Sequence, residues 1–228
     1  MGTPLDTREA QAVEVIDRLY EVYPDPTISL DFSTRLELLM AVVLSAQCTD
    51  ERVNGVTEDL FAEYESAADY AAASEEELAE AIYGVTFHNS KAGYLKGIGE
   101  QLVDEHDGEV PDTMSALTAL PGVGRKTANV VLQHGHDLTE GIVVDTHVQR
   151  ISRRLGLTEA ESPDAIEQDL MGVIPEAEWK EFTHLLIEHG RDICTARNPD
   201  CEECRLADIC PSERGESAVD LASGEDWS

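Results

Sequence analysis

Apolar residues recur at helical spacing along nearly the whole chain, and no segment alternates as a half-buried strand would. Residues 7–22 place Val13, Ile16, Leu19 and Tyr20 on one face, and Tyr23-Pro24-Asp25-Pro26 stops that helix. Residues 33–45 carry Leu36, Leu39, Met40, Val43 and Leu44 in the same way. Further helices are expected over 50–64, 67–72, 74–82, 90–105, 114–119, 126–134, 146–155, 163–171 and 176–189. Ser74 with Glu77 three residues on reads as a capping box. The apolar run Gly141-Ile142-Val143-Val144 is too short to build a sheet. The pattern predicts an all-α fold.

The chain has 228 residues, enough for one large domain or two modest ones. A hydrophobic fraction of 42% supports a true core, and only 5% aromatics means that Leu, Val, Ile and Ala must fill it. No apolar run approaches the roughly 18 residues that span a bilayer. Met1 to Arg8 is polar and lacks a signal-peptide core, so a soluble, cytoplasmic protein is expected. The end of the chain, 212–228, is rich in Ser, Glu, Gly and Asp and is expected to be disordered.

The formal net charge is −31. One reading is a protein that avoids nucleic acid. The other is adaptation to concentrated salt, where the screening length falls to about 3 Å at 1 M. The distribution favours the second. Residues 50–80 hold eleven acids and one base, Arg52. Residues 121–157 hold five bases (Arg125, Lys126, Arg150, Arg153, Arg154) against three acids. A basic island in so acidic a chain suggests a place kept for an anion, and a halophilic source is expected.

That island contains Leu120-Pro121-Gly122-Val123-Gly124-Arg125-Lys126-Thr127-Ala128. A short helix precedes it and an apolar one follows. The two glycines permit a tight turn and close backbone approach. The first amides of the second helix have no intrahelical acceptor, and a phosphate fits them without side-chain charge. The plainer alternative is an ordinary corner between two helices. Lys126 stands near a helix start, where the macrodipole disfavours a cation. That dipole and partial burial would both lower its pKa and free its amine for attack. Alternatively it only binds phosphate. Asp145 follows the short apolar run and precedes a helix, so it can cap that helix. On the helix that follows, His147 can approach a phosphate, Arg150 and Arg154 share a face, and internal ion pairing is the other role open to these arginines.

Of five cysteines, Cys194, Cys201, Cys204 and Cys210 lie within seventeen residues, and Cys48 stands alone as a small buried helix residue. Clustered cysteines in a cytoplasmic chain argue for a metal centre over disulfides. Four thiolates suit either zinc or a [4Fe–4S] cluster. Zinc sites more often pair two short Cys-x-x-Cys knuckles, and only one is present.

The hairpin, Val144-Asp145-Thr146-His147-Val148 and the four-cysteine segment together resemble the endonuclease III family over about residues 30–211. The resemblance implies two helical domains with the active cleft between them: a bundle at 28–140 holding the helix-hairpin-helix, and 1–27 joined to 141–211, ending in a [4Fe–4S] loop. It implies a bifunctional DNA N-glycosylase acting as a monomer on double-stranded DNA with damaged pyrimidines or abasic sites. Lys126 would be the Schiff-base nucleophile and Asp145 its catalytic partner. Cys194, Cys201, Cys204 and Cys210 would hold the cluster. DNA would be met by Gly122, Val123, Gly124, Arg125, Thr127, His147 and Arg197. The first interval between the cysteines is less basic than such a role suggests. Leu44-Ser45-Ala46-Gln47-Cys48-Thr49-Asp50 resembles the segment that supplies a Gln to the space of an extruded base, with a helix cap as the alternative for Gln47. Val85-Thr86-Phe87-His88-Asn89-Ser90-Lys91-Ala92 resembles the wedge loop, with Phe87 as the candidate intercalator and core packing as its alternative. The competing functions are a mismatch-specific glycosylase of the same superfamily, a non-catalytic helix-hairpin-helix DNA-binding protein and a small ferredoxin-type electron carrier.

Overall fold

A computed structural model describes residues 7–214. Every regular element among them is helical, and no strand forms. The chain divides into two compact units. One is continuous, Ser29–Glu140; the other holds the described residues up to Ile28 and from Gly141 onward.

The continuous unit contains α2 (Arg35–Ser45), α3 (Asp50–Glu63), α4 (Ala67–Ala72), α5 (Glu75–Ala81), α6 (His88–Glu105), α7 (Met114–Ala119) and α8 (Arg125–Gly135), after α1 (Arg8–Val22) in the other unit. Helix α2 buries an unbroken run from Leu38 to Leu44. It packs against α3, α6 and α8, which explains why it is apolar all round. Helix α6 packs on α4 and α5. A β-carbon at Gly99 would lie 2.7 Å from the Ala67 carbonyl, so only glycine permits the approach of α6 to α4. Leu95, Ile98, Leu102, Leu117, Val131 and Leu132 are fully buried here.

The discontinuous unit joins α1 to α9 (Thr146–Arg154), α10 (Pro163–Val173), a 3-10 turn (Glu176–Glu178), α11 (Trp179–Asp192) and α12 (Pro211–Arg214). Its core gathers Val15, Ile16 and Leu19 of α1 with Val148 and Ile151 of α9 and Phe182, Leu185 and Leu186 of α11. Ile142 and Val144, from the apolar run before α9, are buried without forming a strand.

Local capping sets most helix starts. Thr7, Thr34, Thr49, Thr113 and Ser162 each accept a first-turn amide. The capping box at Ser74 forms with Glu77, and a second box, Ser66 with Asp69, was not read from the sequence. Three expectations need correction. Helix α6 begins at His88 instead of residue 90. Cys48 lies half-buried in the turn after α2, outside any helix. Pro211–Arg214 continues as a helical turn instead of opening the tail, because Pro211 is buried and proline suits a first helical position. The rest of the expected tail, 215–228, lies outside the described residues.

Candidate nucleic-acid interface and iron–sulfur site

Acidic residues stand in the first turn of α1, α2, α3, α4, α5, α10 and α11. They are absent from the first turn of α6, α7, α8 and α9. Carboxylates normally favour helix N-termini, so leaving them out in a chain this acidic keeps the positive dipole ends of α6 and α8, which also lack a side-chain cap, open to an outside anion.

Helix α8 starts at Gly124, which is extended and offers no side-chain cap. Gly122, Gly124, Arg125 and Lys126 are exposed and Thr127 is half-buried. Gly122 holds φ 72. A β-carbon there would also lie 2.6 Å from the Tyr94 ring, so the position is closed to other residues twice over. Val123 departs from the expectation. Its side chain is buried and its amide donates to the Leu120 carbonyl at 3.2 Å, so it anchors the turn and offers no donor to a phosphate. Lys126 occupies the second position of α8. The partial burial expected of it is not found; its side chain projects from the exposed face of the helix start.

Asp145 is the N-cap of α9, half-buried, and one carboxylate oxygen accepts the amides of His147 and Val148 at 2.8 Å each. Capping fixes the carboxylate in place. His184 on α11 senses this carboxylate, but burial dominates and pushes its pKa down to about 4. His147 is half-buried with Nδ1 3.2 Å from Arg150. Arg150 and Arg154 do turn inward, though their partners are carbonyls. Arg150 donates to Gly190 and Cys194, and Arg154 to Cys194, Thr195 and Ala196. Arg153 is exposed.

These two arginines brace the cysteine loop against α9. Cys194, Cys201, Cys204 and Cys210 line one cavity of about 150 Å³, walled by Ile151, Leu155, Ile193 and Leu206. None is in a disulfide. Among the described residues no three His, Cys, Asp or Glu side chains converge on a single-ion position. Four thiols lining one enclosed cavity can serve as the ligands of a polynuclear cluster. Donors aim at the sulfurs: Arg154 reaches Cys194 Sγ at 3.2 Å and the Leu206 amide reaches Cys204 Sγ at 3.4 Å. Such donors suit thiolate ligands. Arg197 is exposed on the loop.

Gln47 and Phe87 occupy two corners of the continuous unit. Both are non-glycine residues in the left-handed region, φ 56 and φ 59. Phe87 is 62% exposed, so the core-packing alternative is not realised. Gln47 is exposed beyond the end of α2. It caps no helix start; Thr49 does that for α3. Beside Phe87, Tyr83 is 75% exposed and packs edge-on against His88. Lys91, which falls within the wedge-loop resemblance but was given no role from the sequence, is buried behind both corners. Its only other sequence signal is that lysine is scarce.

No helix among the described residues is long and apolar enough to cross a membrane. Residues 40–176 match the family model of the HhH-GPD superfamily of base excision DNA repair proteins. Residues 194–210 match the iron–sulfur binding domain of endonuclease III. Endonuclease III of Synechocystis sp. is 48% identical over 206 residues, covering 90% of this chain and 94% of the relative. Endonuclease III of Escherichia coli K12 is 41% identical over 203 residues, covering 89% and 95%. A solved structure of a trapped endonuclease III–DNA covalent intermediate superposes with a TM-score of 0.86 at 39% identity, covering 94% of this chain and 99% of that one. The agreement extends over both the helical fold and the cysteine loop, and the chain belongs to the endonuclease III family of base excision repair DNA glycosylases and abasic-site lyases, with a [4Fe–4S] cluster as cofactor.

Proposed function

We propose that this enzyme removes oxidised pyrimidines from double-stranded DNA, with Lys126 as nucleophile and Asp145 as its acid–base partner. The observation that carries the reading is the placement of Lys126. It is exposed in the first turn of α8, where neither a side-chain cap nor an acid occupies the helix end. A phosphate at the uncapped start of α8, beside the backbone of Gly124 and the first-turn amides, would hold the sugar beside its amine. The amine attacks the anomeric carbon, and the bond to the base breaks with its electron pair leaving on the base. Ring opening gives a Schiff base. Loss of a proton from the 2′ carbon then expels the 3′ phosphate, and hydrolysis frees the lysine. Asp145, fixed by its capping bonds, stabilises positive charge on the opening sugar and exchanges protons near the amine.

Gly122, Gly124, Arg125, Thr127, His147 and Arg197 are the further DNA contacts of this reading. Gln47 and Phe87 fill the gap left by the extruded base. The relative trapped covalently on DNA supports a covalent path. Cys194, Cys201, Cys204 and Cys210 hold the cluster, which orders a loop with little core of its own. The two compact units serve as its two domains, and the enzyme acts as a monomer in the cytoplasm.

A duplex panel tests the substrate class. Thymine glycol and dihydrouracil should be excised at least tenfold faster than mismatched adenine or thymine. Preferential excision from mismatches would favour the mismatch-specific alternative instead.

A further inference from the structure

Lys91 is 4% exposed in a chain with only four lysines. Its ammonium donates to the carbonyls of Leu44 and Ala46 at 2.7 Å each. Those carbonyls belong to the end of α2, where intrahelical donors run out. The neighbouring acceptors are already met: Ser45 Oγ donates to the Val42 carbonyl and the Cys48 amide donates to Ser45. Lys91 thus completes the corner immediately before Gln47. Its own amide donates to the Phe87 carbonyl at 3.0 Å and closes the first turn of α6. One residue therefore ties down two left-handed corners, each of which presents an exposed side chain. A buried ammonium is costly, and burial lowers the Lys91 pKa. Methionine or leucine would fill the same space with no charge to desolvate, so packing alone does not account for the lysine.

We propose that Lys91 is a positioning residue that holds Gln47 and Phe87 in fixed register, so that both enter the duplex together when a base is extruded. The inference rests on the insertion roles proposed above for Gln47 and Phe87. Lysine reaches two carbonyls of one corner through its side chain and the other corner through its backbone. Loosening the ammonium frees the Gln47 corner while the α6 turn stays closed. The two side chains then no longer arrive as a unit, and the cost falls on opening the duplex and not on chemistry at the sugar.

The test is a variant cycle on the purified holoenzyme, read by single-turnover excision of thymine glycol from duplex and by cleavage at an abasic site in single-stranded DNA. Lys91→Met should slow duplex excision tenfold or more and leave single-strand cleavage within twofold. Added to the Gln47→Ala/Phe87→Ala pair, it should slow duplex excision less than twofold further. Lys91→Arg, which keeps charged donors, should recover part of the duplex rate. If Lys91→Met loses cooperative melting, Lys91→Gln, able to reach one carbonyl, is carried through the same cycle with the same expectation. A full tenfold loss on top of the paired variant, or equal slowing on single strands, overturns the proposal while leaving the insertion roles standing. A paired variant that excises from duplex at the wild-type rate removes the insertion roles and this proposal together.

Discussion

The ring of Tyr94 on α6 lies against the backbone of Gly122, 2.6 Å from where a β-carbon would sit. The contact locks the hairpin turn to α6. Gly122 also holds φ 72, which costs an L side chain about 1–2 kcal/mol. Gly122→Ala should therefore destabilise by at least that amount and lower the melting temperature by about 2–4 °C per kcal/mol. It should weaken abasic-DNA binding as well, because the turn positions the uncapped start of α8. Tyr94→Ala gives the methyl room. In that background Gly122→Ala should lose only the backbone part. Equal losses in both backgrounds, measured by thermal melting, would refute the packing account.

Asp145 combines a structural role with a chemical one, and substitution separates them. Asparagine keeps an oxygen for the His147 and Val148 amides. Asp145→Asn should change stability by only a few tenths of a kcal/mol while turnover falls by roughly 10²–10⁴-fold. Asp145→Ala should lose turnover and also about 1 kcal/mol of stability through the missing cap. Melting and single-turnover kinetics on the same preparations check both halves. An Asn variant with near-normal turnover would reduce Asp145 to a cap.

His184 gives a pH signature. Burial lowers its folded pKa to about 4, against about 6.5 unfolded. Between these values the unfolded chain binds a proton that the folded one refuses, so this contribution is intact above pH 6.5 and is lost as pH falls toward 4. The loss from pH 7 to pH 5 should be about 2 kcal/mol. His184→Gln should flatten that part of the stability curve. An unchanged difference between melts at pH 7 and pH 5 would contradict the assignment.

Much of this molecule was legible in the chain because its signals are local. Helical spacing and capping residues mark most elements within a residue or two. The cysteine spacing marks the loop, which Arg150 and Arg154 brace from α9 through backbone carbonyls. What was not legible depends on tertiary contact. Residues 88 and 89 give no helix signal, and α6 begins there only because Phe87 adopts a left-handed corner. Val123 lies between the two glycines of the hairpin and Lys126 two residues beyond the second, yet one faces the core and the other faces out. Lys91 looks like any surface lysine in one dimension. Only the fold shows that it caps α2.

The acidic surface leads to a prediction about salt. Few phosphate contacts by side chains, with backbone amides supplying much of the rest, should give a shallow slope of log affinity against log salt. Activity should persist in molar KCl if the chain is adapted to concentrated salt, since self-repulsion is screened there. Binding and excision titrated from 0.1 to 2 M KCl check this. Collapse of activity near 1 M, with an optimum below 0.1 M, would contradict it.

Borohydride trapping on duplex DNA containing thymine glycol tests the central claim most directly. A Schiff base at Lys126 should be reduced to a stable protein–DNA adduct. Lys126→Gln keeps length and polarity but lacks the nucleophilic amine. It should give no adduct and no excision, while abasic-site binding stays within a few-fold, because the uncapped start of α8 is unchanged. An adduct of wild-type yield with Lys126→Gln would contradict the account, since another amine would then be the nucleophile.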